Sequence, residues 1–255
     1  MLYKSIIVET ESTICTIILN RPKVLNAMNQ NMFLELNDAL ENIEHDSNIK
    51  AVVITGSGNK AFSAGADIKE MVVKADANTG LPPKTTEQTW LPWKIASFPK
   101  PIIGAINGLA YGGGAVIASS MDIRVGCDLS KFRFLAASYG RLNATWSLPM
   151  QVGWPIAKEL LFTARILSAD EALKIGFLNY LVEANQVLNK AKEVAMQIAD
   201  NDPNMVAGIK EILIKDIGVT WPEMFEMELD LVSGKLKPTP VVDGFKDFLE
   251  RKGTK

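Results

Sequence analysis

Apolar positions at the start of the chain follow a strand-like alternation over Ser5–Glu9 and again over Thr13–Leu19. Thr10-Glu11-Ser12 between them predicts a tight connection. Past Asn20-Arg21-Pro22 the spacing lengthens. Met32, Phe33, Leu36, Ala39, Leu40 and Ile43 fall on one stripe of a helix, and Asn29 stands where an N-cap belongs. Ala51–Thr55, Ile102–Ile106 and Asp122–Gly126 read as three further strands. Strands of this apolar kind, alternating with helices, imply a mainly parallel sheet covered by helices on its faces.

From Pro155 onward the pattern turns helical. Ser168-Ala169-Asp170-Glu171 has the form of a capping box, and Gly176 is a stop for that short helix. Val187, Ala191, Val194, Ala195 and Ile198 make the stripe of the next helix. Further helices are predicted over Pro203–Asp216, Trp221–Val232 and Thr239–Lys252, the last with Val241, Val242, Phe245, Phe248 and Leu249 on its apolar side. Val73–Pro83, with alanine, glycine and paired prolines, reads as a loop. No internal repeat is visible.

Composition narrows the possibilities. A length of 255 residues suits one large domain, or a domain with a helical appendage. Apolar residues at 47% and charged residues at 22% permit a sizeable core. The net charge of −2 gives no basic footprint, so no nucleic-acid partner is expected. No apolar run approaches the roughly 18 residues of a membrane span, and Met1–Thr10 lacks the apolar core of a signal peptide. Cys15 and Cys127 form no CxxC spacing and are read as reduced, buried thiols of a cytoplasmic protein.

Two motifs are decoys. Gly56-Ser57-Gly58-Asn59-Lys60-Ala61 nominally fits the GxGxxA dinucleotide fingerprint, but another glycine turn follows where a helix should start, so a surface hairpin is expected. Ser63 lies in a near-match to a nucleophile elbow, whose base is a histidine later in the chain. The sole histidine, His45, precedes it between Glu44 and Asp46 and is expected on the surface. One histidine and two distant cysteines assemble no zinc-type site, so no metal is expected.

The chemistry-bearing features are two glycine turns, Ala64-Gly65-Ala66-Asp67 and Gly112-Gly113-Gly114. Each follows an apolar strand and leads into a segment that can start a helix. Small side chains let backbone N–H groups point into a cavity, and two of them aimed at one point form an oxyanion hole.

These turns sit among further motifs: Asn20-Arg21-Pro22 through Asn26-Ala27-Met28, Ala61 through Met71, Pro101 through Gly114, Leu148-Pro149 with Val152-Gly153, Leu161 through Arg165, Ser168 through Ala172, and Phe245 to Lys252. Together, and in this order, they resemble the crotonase (enoyl-CoA hydratase/isomerase) superfamily over nearly the whole chain. The resemblance implies an α/β fold, a crotonase-like ββα spiral core over residues 1–200 with a C-terminal helical trimerisation region over 201–255. It implies a homotrimer or dimer of trimers acting on an acyl-CoA, with no separate cofactor because coenzyme A enters as part of the substrate. On the family's pattern the N–H groups of Ala66 and Gly113 fall on the oxyanion-hole positions. Lys23, Leu25, Ala27, Ala64, Asp67, Ile68 and Lys69 fall on coenzyme A contacts, and Phe248 and Arg251 on positions that reach a neighbouring subunit's ligand.

The chain departs from the pattern where hydratases carry two glutamates. The first falls on Val116, here placed against the substrate, and the second on Tyr139, a poor base at neutral pH with an ordinary pKa near 10. The chain is also short between Leu142 and Ala144 by comparison with the family. Two functions stay open: an enzyme that stabilises a thioester enolate with non-standard groups, and a coenzyme A thioester-binding protein with little or no catalysis.

Overall fold

The computed structural model describes residues 3–77, 87–236 and 239–246. They fall into two compact units, Met1–Asp200 and Asn201–Lys255. The first unit opens with β1 (Ile6–Glu11) and β2 (Ile14–Leu19), an antiparallel pair turning at Ser12-Thr13. α1 (Gln30–His45) follows, and the Asn29 side chain accepts a hydrogen bond from the Met32 amide at 3.0 Å, as an N-cap should.

The chain then repeats strand, strand, helix. β3 (Ala51–Gly56) and β4 (Ala61–Ser63) lead to α2 (Ile68–Ala77) and α3 (Glu87–Ala96); β5 (Ile102–Ile106) and β6 (Leu109–Tyr111) lead to α4 (Gly113–Ser119). β7 (Ile123–Gly126) and β8 (Lys131–Arg133) lead through a 3-10 turn at Ala137–Tyr139 to α5 (Leu148–Val152) and α6 (Trp154–Thr163). β9 (Leu167–Ser168), α7 (Ala169–Lys174), β10 (Tyr180–Leu181) and α8 (Val187–Ala199) complete the unit. The first strand of each repeat enters a six-stranded sheet of order β1-β2-β3-β5-β7-β10, and the second enters a four-stranded sheet of order β4-β6-β8-β9. Neighbours from β2 to β10 and from β4 to β8 are parallel; β1 and β9 are the antiparallel edges. This is the ββα spiral.

Alternation within the strands explains why their sequences are apolar throughout. Val52, Ile54, Ile102 and Ile106 face one way and pack with Met32, Leu36 and Leu40 of α1. Ala51, Val53, Ile103, Ala105 and Val125 face the other way and pack with Val187, Ala191, Val194 and Ala195 of α8. With both faces covered, the central strands are mostly apolar, and the buried Thr55 and Arg124 among them donate to main-chain carbonyls.

Local details correct several expectations. Residues 57–60 do not close a hairpin: they carry the chain from β3 in one sheet to β4 in the other. The stretch read as a loop from Val73 is helical as far as Ala77, and residues 78–83 lie outside the described residues. Ser168 caps α7 by accepting from the Glu171 amide, but the Glu171 carboxylate does not complete a capping box, because it pairs with the Arg165 guanidinium instead. Both cysteines are buried and free, and burial pushes the Cys15 thiol above its ordinary pKa.

In the second unit, α9 (Pro203–Lys215) is capped by Asp202, and α10 (Trp221–Ser233) by a reciprocal box between Thr220 and Glu223. α11 (Val241–Gly244) is the described part of the helix expected over Thr239–Lys252. Val241, Val242 and Phe245 are exposed, and residues 247–252, including Phe248 and Arg251, lie outside the described residues. Among the described residues no helix is long and apolar enough to cross a membrane.

One buried charge ties the spiral's turns together. Arg124 on β7 is 2% exposed. Its guanidinium donates to the carbonyls of Met121 (2.6 Å) and Phe177 and to Gln151 Oε1 (2.6 Å), and lies 5.1 Å from the Phe177 ring centroid. Burial lowers its pKa to about 10, against the charge of Asp122, so it stays protonated at neutral pH. Arg124→Met leaves three acceptors without donors and is expected to cost at least about 3 kcal/mol in urea unfolding; a loss under about 1 kcal/mol would show that these bonds contribute little.

Candidate active site

The site is built where three chain segments touch. The turn Pro22–Val24 is a single 3-10 turn, followed by Leu25 and Asn26 at φ of 53° and 54°. Two successive non-glycine residues in the left-handed region are strained and persist only where their surroundings fix them. Asn26 does the fixing. Fully buried, it accepts from the Arg21 amide and donates to the carbonyls of Ser57 and Ala61, both at 2.9 Å. Ser63, also fully buried, donates its hydroxyl to the Asn26 carbonyl and accepts from the Gly65 amide. Its hydroxyl is thus occupied in shaping the turn, while His45 is exposed at the end of α1 with Nδ1 2.8 Å from the Glu41 carbonyl.

Met28 sets the direction of the next backbone groups. Its amide donates to Gly65 O at 2.7 Å, and its carbonyl accepts from the Asp67 amide at 2.9 Å. Both partners flank Ala66, so a parallel bridge forms in which the N–H of Ala66 itself points away from Met28. On that other side lies Gly113. A Cβ placed on Gly113 would stand 3.5 Å from the Ala66 nitrogen, and one on Gly65 would stand 2.7 Å from the Gly113 nitrogen and 2.6 Å from the Tyr111 carbonyl oxygen.

Gly112 precedes with φ 49° and ψ −119°, its amide bonded to the Arg133 carbonyl and its own carbonyl to the Val116 amide. Gly113 is therefore the first residue of α4, where an N–H has no intrahelical partner. Among the described residues neither the Ala66 nor the Gly113 amide donates a hydrogen bond, whereas the amides of Ala64, Gly65, Asp67 and Gly112 all do.

Above these amides opens a cavity of about 430 Å³. Of the residues expected at the site, Ala64, Ala66, Ile68, Gly113 and Tyr139 line it together. Met71, Val72, Leu135 and Ala136 supply further apolar wall, and Arg141 and Asn143 a polar edge; apart from Met71, which ends the motif that starts at Ala61, the motifs gave no signal for these residues. Lys23 and Leu25 line a second cavity of about 270 Å³, with Asn26 and residues 57–61. Ala27 is half-buried and accepts from Arg21, and Lys69 is exposed in the first turn of α2.

Val116 is not brought to the cavity wall. It is 6% exposed within the core, and its carbonyl accepts from the hydroxyls of Ser119 and Ser120. Asp67 is committed to Arg21 at 2.9 Å. Partial burial raises its pKa, but the hydrogen bond and charge of Arg21 and the amides of Glu70 and Lys69 outweigh it and hold the carboxyl below its ordinary range. No aspartate or glutamate among the described residues lines the larger cavity. Among the described residues no group of three histidine, cysteine or carboxylate side chains is placed to hold a metal.

Comparison with known proteins agrees with this architecture. The profile of the enoyl-CoA hydratase/isomerase family matches residues 9–255. The short-chain-enoyl-CoA hydratase of Clostridium acetobutylicum is 37% identical over 218 residues, covering 82% of this chain and 80% of that one. The crotonyl-CoA hydratase of Syntrophomonas wolfei is 36% identical over 259 aligned residues, 99% of this chain and 97% of the relative. The crystal structure of an enoyl-CoA hydratase from Bacillus anthracis superposes with a TM-score of 0.87 at 29% identity, with 97% of each chain covered. The chain belongs to the enoyl-CoA hydratase/isomerase family. It is an acyl-CoA enzyme of the crotonase fold.

The closeness of the two glycine turns has a measurable cost. Gly65→Ala is expected to lower unfolding free energy by roughly 2–5 kcal/mol, since a Cβ there adds overpacking to left-handed strain. Gly140 has the same sign of φ but open space around its Cβ position, so Gly140→Ala is expected to cost about 1–2 kcal/mol. Urea unfolding of both variants checks this, and equal losses would contradict it.

Proposed function

We propose that the thioester carbonyl of an acyl-CoA sits against the N–H groups of Ala66 and Gly113, which stabilise the enolate formed when its α-carbon passes a proton to water. The observation that carries this reading is the pair of unused amides on adjoining turns at the wall of an otherwise apolar cavity. Deprotonation or addition next to a thioester puts negative charge on the carbonyl oxygen. Two fixed donors in a site shielded from water stabilise that charge by several kcal/mol, with no reorganisation when it appears.

In this reading both usual hydratase glutamates are replaced, by Val116 and Tyr139. Supporting it, Val116 is a buried apolar residue, and among the described residues the cavity wall carries no carboxylate. Tyr139, 62% exposed on that wall, orients the substrate or donates a proton to it. Coenzyme A lies along Lys23, Leu25 and Ala27 and along Ala64, Asp67, Ile68 and Lys69, where the two lysines suit its phosphates. Phe248 and Arg251 reach the ligand of a neighbouring subunit in a trimer or dimer of trimers, working in the cytoplasm. Exposed Trp154 and Phe162 on the first unit, and Trp221 and Phe225 on the second, supply apolar surface for such an assembly.

Solvent exchange tests the chemistry directly. Incubated in deuterium oxide with butyryl-CoA, the protein is expected to exchange the α-carbon hydrogens, with little hydration of crotonyl-CoA. Binding of a broad panel of acyl-CoAs with neither exchange nor turnover would overturn the enolate reading in favour of a thioester-binding protein.

A further inference from the structure

Resting on the acyl-CoA reading, we infer that the acyl group this cavity selects carries a carboxylate beyond the thioester, and that the Arg141 guanidinium recognises it. The argument begins with what the arginines do. Arg21 bonds Asp67 and the Ala27 carbonyl, Arg124 is saturated in the core, Arg133 donates to the Ala164 carbonyl, and Arg165 forks between Glu159 and Glu171. Arg141 differs. Only its backbone amide is engaged, with the Ala136 carbonyl, and among the described residues its guanidinium makes no hydrogen bond or ion pair.

Its position gives that freedom a meaning. Among the described residues Arg141, itself exposed, is the single charged residue that lines the cavity holding the two unused amides. An unbalanced cation beside an apolar chamber favours an anionic ligand, and the planar fork of guanidinium matches a carboxylate with two parallel hydrogen bonds. Asn143, two residues on along the same wall, has an Oδ1 that is buried and without a partner. An amide oxygen accepts, so it is met by a donor from water or a ligand, and the acyl carboxylate rests on Arg141 alone. A plain alkyl chain would leave the guanidinium unpaired. The chain holds both residues there: Gly140 turns through φ +62°, and Ala144, at φ +56°, enters the core directly after Asn143.

Calorimetric binding of two unreactive thioesters with equal chain length tests this. Glutaryl-CoA ends in a carboxylate and valeryl-CoA in a methyl group. The protein is expected to bind glutaryl-CoA about tenfold or more tightly than valeryl-CoA, the effect of one charge-assisted pair. Arg141→Gln is expected to bring that ratio close to one, and Arg141→Lys, a point charge without the fork, to restore part of it. A wild-type ratio near one overturns the inference. So does an equal weakening of both thioesters and of free coenzyme A in Arg141→Gln, which would put the guanidinium on coenzyme A phosphates. If neither thioester bound the wild-type protein, the acyl-CoA reading itself would fall, a result distinct from a lost preference.

Discussion

Gly65 sits so close to the second glycine turn that a Cβ on it would collide with the Tyr111 carbonyl oxygen and the Gly113 nitrogen, whereas one on Gly113 would meet the Gly65 backbone at ordinary contact distance. Every feature of the candidate site follows from that contact. Met28 pins the Gly65 turn by using the amide and carbonyl on either side of Ala66, which leaves the Ala66 N–H facing α4. Gly112 pins the other turn by bonding to Arg133 on β8, which leaves the Gly113 N–H at a helix start with nothing to bond within the chain. Two donors are thereby unused because their neighbours are used.

Such a site needs a rigid frame, since a donor displaced by about 1 Å loses much of its effect on a transition state. The frame has two parts. The large sheet is covered by α1 on one face and α8 on the other, so β3 and β5 sit in the middle of a close-packed layer, and β4 and β6, which follow them in the chain and pair in the smaller sheet, deliver the two glycine turns. Asn26, Ser63 and Arg124 then fix loops that strands alone would not hold, each spending nearly all its hydrogen-bonding capacity on main-chain groups. Strained Leu25 and Asn26 belong to the same scheme: the chain accepts left-handed residues where they steer a segment toward the site.

Much of the spiral was legible because its signals are local and strong. The six-residue run Ala51–Gly56, the Asn29 cap, the Gly176 stop and the α8 stripe each follow from residues a few positions apart. The pairing of β4 with β6 in a separate sheet was not legible, because three-residue strands carry too little periodicity and the 57–60 turn resembles a hairpin. The two glycine turns were readable as a pair through their motifs. Arg141 and Asn143 were not, since nothing in their sequence says that the chain folds back over Ala66 after Ala136. Val116 faces the core for a related reason, since its position along α4 and not its local sequence sets which side the residue presents. Glu171 shows a third limit, as a local capping pattern yielded to a better partner in Arg165.

In the proposed reading the amides hold the thioester whatever acid–base side chains surround them, because main-chain donors do not depend on side-chain identity. The account therefore stands on the amides of Ala66 and Gly113 acting on a single oxygen. The most direct measurement is isotope-edited infrared spectroscopy of bound butyryl-CoA labelled with carbon-13 at the thioester carbonyl. A carbonyl stretch at clearly lower frequency in the complex than in water is the predicted result, since two aligned donors polarise the bond more than solvent does. A stretch unchanged or raised on binding would contradict the account.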